Sequence, residues 1–68
     1  MSSVGEELPK EITRVRDELI PAYLECGVGG MPAVILMRAD LDEASKAMIE
    51  GDVVAMVLVY QKLKDWKL

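Results

Sequence analysis

A chain of 68 residues with one cysteine and no histidine must fold without the two staples on which small domains commonly rely. Cys26 has no partner for an intrachain disulfide, and a structural zinc site lacks both a second thiolate and an imidazole. A single core of this size supplies only about 3–5 kcal/mol, which leaves self-association as the usual remaining source of stability. The side chains point the same way, since 51% of the residues are hydrophobic, more than a small core encloses. The expected first partner is therefore a second copy of the chain, in the simplest case as a homodimer, and the expected second is another protein.

Glycines divide the chain into three striped segments. In the first, Leu8, Ile12, Val15, Leu19, Ala22 and Cys26 recur at alternating steps of four and three, the period of an amphipathic helix. Pro9 suits a first helical turn, whose N–H groups have no intrahelical acceptor. Pro21 is harder to place, because its ring clashes with the carbonyl four residues back and it has no N–H. A kink is expected there, with the stripe continuing through Ala22 to Cys26. Residues 1–7 read as a flexible acidic start ahead of a single helical domain over 8–68.

Gly27 suits the left-handed residue that ends a helix, and Pro32 suits the beginning of the next. Val34, Met37, Leu41, Ala44 and Met48 repeat the helical spacing as far as Gly51, after which Asp52 is placed to cap a third segment. Its run VVAMVLVY, Val53 to Tyr60, suits a buried strand as well as a buried helix. The continuation through Met56, Tyr60 and Leu63 selects the helix. The predicted fold is all-α: a kinked N-terminal helix beside a helical hairpin. The alternative is α+β, with strands at 33–37 and 53–60. The segment YQKLKDW, Tyr60 to Trp66, is similar to the end of the first helix of a tetratricopeptide repeat, but the rest of that pattern of about 34 residues is absent.

The missing residue types restrict the chemistry. Without histidine, Cys26 and the serines lack the usual base beside a nucleophile, so the expectation is a protein that is not an enzyme and uses no cofactor or metal. Cys26 reads as a small buried apolar residue. The GVGG segment has no Gly-Lys-Ser/Thr ending and is followed by Pro32, so it reads as a hinge and not as a phosphate loop. Asp40, Asp42, Glu43 and Lys46 lack calcium-loop spacing and read as a solvated helix face, with Glu43 expected to pair near Lys46. The net charge is −4, and only Lys62, Lys64 and Lys67 gather positive charge, which makes nucleic-acid binding unexpected. The acidic start and the short apolar runs predict a cytoplasmic chain with no membrane segment.

Apolar residues off the stripes are the most informative. If Val53, Met56, Tyr60 and Leu63 face the core, then Val54, Val57, Leu58 and Val59 spread round the other sides, as Ile35 and Leu36 do on the second helix. The predicted interface uses Ile35, Leu36, Val54, Val57 and Leu58, with methionines as adaptable contacts. Candidate polar contacts are Arg14, Arg16, Lys62, Lys64 and Trp66. The expected function is a protein–protein interaction, assembly or regulatory module. One alternative is a small-molecule binder or enzyme accessory subunit that builds a pocket between copies from Arg14, Arg16, Tyr23, Asp40 and Asp42. Another is a nucleic-acid accessory protein acting through its lysine-rich end.

Overall fold

The structure, a computed structural model, describes residues 3–68. Among them run three helices and no strand: α1 over residues 4–25, α2 over Met31–Glu50 and α3 over Val53–Asp65. Both segments of the strand alternative, 33–37 and 53–60, are helical. The reason is local: a two-stranded sheet leaves backbone groups unpaired along both edges, whereas a capped helix satisfies its own.

Three stretches make up α1: the α-helical Val4–Arg14, a π turn over Val15–Leu19 and the α-helical Ile20–Glu25. The π turn answers Pro21. Lacking an N–H and pressing its ring on the preceding turn, Pro21 resists a tight α turn, and the chain widens so that the Ile20 N–H donates to the Val15 carbonyl, five residues back. The helix passes the proline unbroken, but one residue is inserted into its apolar stripe. Leu19 and Ile20 are both buried and Tyr23 packs against the core after them. Cys26, predicted to be buried, is exposed.

The helix also begins earlier than predicted. Residues 4–7, expected ahead of the helical domain, form its first turn, where the Glu6 and Glu7 N–H groups donate to the Ser3 carbonyl, each at 3.0 Å. Two carboxylates near the positive helix pole favour that start. Pro9 consequently lies in the second turn and leaves the carbonyl of the exposed Gly5 without its helical donor. Met1 and Ser2, the rest of the expected acidic start, lie outside the described residues.

Glycines set the connections. Gly30 is buried in a 3₁₀ turn, Gly27–Gly30, hard against the end of α1. A Cβ there would lie 3.0 Å from the Tyr23 carbonyl carbon and nearer still to its oxygen. Gly27, at φ 73°, takes the left-handed conformation predicted for it, and Gly51, at φ 65°, ends α2 in the same conformation. The Asp52 N–H then donates to the Ala47 carbonyl at 3.0 Å and the Gly51 N–H to Met48 at 3.2 Å, the paired bonds that close a helix C-terminus. Asp52 caps α3 as expected, its Oδ1 accepting from the Ala55 N–H at 3.1 Å.

The core joins Leu8, Val15, Leu19 and Ile20 of α1 to Val34, Met37 and Ala44 of α2 and to Val59 and Leu63 of α3. Each buried valine or leucine contributes about 1.5–3 kcal/mol relative to exposure. The face of α3 that does this is rotated from the predicted one. Val59 is fully buried, whereas Val53, expected to face the core, is 60% exposed. The first turn of α1 meets α3 near Val57 and Tyr60, so Val53 lies where α1 does not reach. Similarly, Ala47 is buried in α2 while Met48, expected in its stripe, is not. The molecule measures 36 × 22 × 15 Å, and none of its described helices is long and apolar enough to cross a membrane.

Candidate interaction surface

Two contacts across the hairpin set the register of α2 and α3. Lys62 Nζ donates to Glu43 Oε2 at 3.0 Å, and the Trp66 indole N–H donates to Asp40 Oδ2 at 2.9 Å. From Lys62 toward the turn, the outer surface of α3 presents Leu58, Val57, Val54 and Val53, all exposed. Across the turn α2 adds Met48 and Ile49, the latter 86% exposed. All six lie toward the turn end of the molecule, four of them on the outer surface of α3 and Met48 and Ile49 on the last turn of α2.

Ile35 and Leu36 do not join them. At 1.5 Å per residue Leu58 lies about 6 Å on the turn side of the Glu43–Lys62 contact, while Leu36 lies about 10 Å on the other side. The predicted interface is thus divided. Ile35 and Leu36 belong instead with the exposed Leu24, Val28 and Met31 around the glycine-rich link, at the opposite end. Sequence spacing recognised which residues leave the stripes, but α2 is long enough to carry them to both ends.

Most of the predicted polar contacts are engaged within the chain. Arg14 donates through Nε to Glu11 Oε2 at 2.8 Å and through a terminal nitrogen to the Leu63 carbonyl at 2.9 Å, tying α1 to α3. Tyr23 donates from its hydroxyl to the Lys67 carbonyl. Trp66, bound to Asp40, does the same work between the end of the chain and α2. Arg16 holds its neighbour Asp17 at 2.8 and 3.0 Å on the open surface. The hydrogen bond from Arg16 holds the Asp17 carboxyl below its ordinary range, and Asp17 raises the guanidinium in turn. The bond to Glu43 likewise raises the Lys62 ammonium. Glu43 therefore pairs across the hairpin and not along its own helix.

The lysines do not gather into a patch. Lys62 turns to α2, whereas Lys64 sits on the α1 side with its ammonium 5.8 Å from the centre of its own Tyr60 ring. Lys67 lies beyond α3, near Arg14 and Glu18. Nor do Arg14, Arg16, Tyr23, Asp40 and Asp42 converge on one cleft: Arg14 faces α3, Asp40 faces the end of the chain, and Arg16 and Asp42 are exposed. Among the described residues no group of three or more metal-ligating side chains comes together. No family model, curated protein or solved structure matches this chain.

Proposed function

We propose that the chain is a non-enzymatic protein–protein interaction module, a cytoplasmic assembly or regulatory subunit that works by associating with a second copy of itself through the apolar end of its hairpin. The observation that carries this reading is the exposed run Val53, Val54, Val57 and Leu58 along α3, with Met48 and Ile49 exposed at the same end of the molecule. Together these side chains leave on the order of several hundred Å² of apolar surface in water, as much as the largest patch of a typical monomer, and such patches commonly mark interaction sites. The engagement of Arg14, Tyr23 and Asp40 in holding the helices together supports an interaction role over a pocket built from those groups with Arg16 and Asp42.

Sedimentation equilibrium over a wide concentration range tests it. Leu58→Asp is a clean perturbation because Leu58 is exposed and its replacement leaves the core untouched. The expected result is a dimer for the native chain and a monomer of unchanged helicity for the variant. A native chain that stays monomeric at every concentration, or a variant that dimerises as well as the parent, overturns the proposal.

A further inference from the structure

We infer that the second copy docks parallel, α3 on α3 about a two-fold axis running along the helices, so that Lys64 of each copy meets Asp65 of the other; the inference rests on the self-association proposed above. The outer surface of α3 is built in three rows. Val54 and Gln61 form the middle one, because Val54 stands three residues before Val57 and four before Leu58, as Gln61 does before Lys64 and Asp65. Val57 and Lys64 flank it on the side of α1, where both line the groove that Val4 and Glu7 border. Leu58 and Asp65 flank it on the side of α2, with Asp65 lining the same concavity as Asp40 and Lys62. Each row is apolar toward the turn and polar toward the end of the helix, and all six residues are exposed. Among the described residues neither Lys64 nor Asp65 forms an ion pair.

Symmetry decides which rows meet. A two-fold axis parallel to α3 turns the α1 side of one copy to the α2 side of the other at the same height. Lys64 then meets Asp65, Val57 meets Leu58, and the middle row meets itself. Gln61 against Gln61 satisfies both amides, since each group donates and accepts. A two-fold axis perpendicular to α3 instead keeps the α1 side over the α1 side and reverses the heights. That arrangement lays Gln61 on Val54 and carries Asp65 to the turn, where Glu50 and Asp52 are exposed. An amide covered by a valine and carboxylates facing one another are both unfavourable, so the parallel arrangement is the one in which the two surfaces complement each other.

Cys26, the lone and exposed thiol, reports the orientation from the far end of the molecule. With packed helix axes about 8–10 Å apart, the two Cys26 residues stand about 25 Å from each other in the parallel dimer, whereas the helical rise separates them by about 45 Å in an antiparallel one. The experiment is pulsed dipolar spectroscopy on nitroxides attached to Cys26, with sedimentation equilibrium of Lys64→Glu, Asp65→Lys and the double exchange. Both positions are exposed, and circular dichroism checks that the fold is kept. The expected result is the shorter distance, about fivefold weaker dimerisation in each single variant because every dimer holds two such pairs, and recovery to within about twofold in the double exchange. Asp65→Lys separates the two arrangements by sign, since the new lysine faces Lys64 in a parallel dimer and Glu50 in an antiparallel one. A dimer with the longer distance, single variants that dimerise like the parent, or a tighter dimer of Asp65→Lys overturns the orientation and leaves self-association standing. A native chain that remains monomeric at every concentration overturns both.

Discussion

Replacing Gly30 by alanine adds a methyl group where the end of α1 already stands. The backbone of Gly30, at φ −88° and ψ −13°, is one that alanine adopts without strain, so the effect is steric alone. The new Cβ would come 3.0 Å from the Tyr23 carbonyl carbon, closer to its oxygen, and 3.4 Å from the Cys26 Cβ. The first two are backbone atoms, which no change of rotamer can move. The end of α1 and the beginning of α2 must separate by about 1 Å, loosening the core that Ile20, Tyr23 and Val34 share. Overpacking of this kind costs about 1–3 kcal/mol, a large share of the roughly 3–5 kcal/mol that a core of this size supplies. Gly29 is the control, because a Cβ there meets nothing within 4 Å and its φ is not positive. Gly29→Ala should leave stability unchanged or raise it by about 0.4–1 kcal/mol through the unfolded chain. Urea unfolding followed by helical circular dichroism, at one protein concentration, compares the two. Equal midpoints for Gly30→Ala and Gly29→Ala would refute the close approach of the two helices.

The two valines that bound the core side of α3 should separate sharply. Val59→Ala is expected to cost about 2 kcal/mol and Val53→Ala less than about 0.5, measured in the same unfolding assay; comparable costs would mean that α3 is turned differently. Asp40→Ala leaves the half-buried Trp66 N–H without its acceptor and should cost about 1–2 kcal/mol, with a red shift in the emission of the lone tryptophan, while Asp40→Asn keeps an acceptor and loses less. Stability should be flat between about pH 5 and 7, since the chain has no histidine. The lowered Asp17 group contributes a stability that is present above its unfolded value and lost only as pH falls through the folded one. The raised Lys62 group contributes one that is present below its unfolded value and lost only as pH climbs through the folded one. A transition inside the flat interval, followed by circular dichroism, would contradict this assignment of ion pairs.

What the sequence made legible was local. The helix ends at Gly27 and Gly51, the cap at Asp52 and the choice of helix over strand for Val53 to Tyr60 depend on single residues or on spacing within one segment, and those properties are printed along the chain. Pro21 shows where local reading stops. Its missing N–H announced a disturbance, but whether the chain breaks, kinks or widens depends on which register then buries more side chains. The π turn wins because it sets Ile20 and Tyr23 toward the other helices, and Cys26 goes to the surface as a consequence.

The interaction surface was half legible for a related reason. A side chain that leaves its helix's stripe is visible in the sequence, yet whether it ends exposed depends on what stands beside it. Val59 and Val57 are both valines off the predicted stripe, and one is fully buried while the other is not. Two residues apart on a helix is about 200° of turn, so the two stand on opposite faces of α3, and which face turns inward is fixed by the packing of the three helices that Arg14 and Leu63 help to register. The same register leaves Val53, Val54, Met48 and Ile49 uncovered together. An apolar end of this kind is thus a product of unequal helix lengths: the hairpin reaches past α1, and the overhang that α1 does not cover is the surface proposed to meet a second copy.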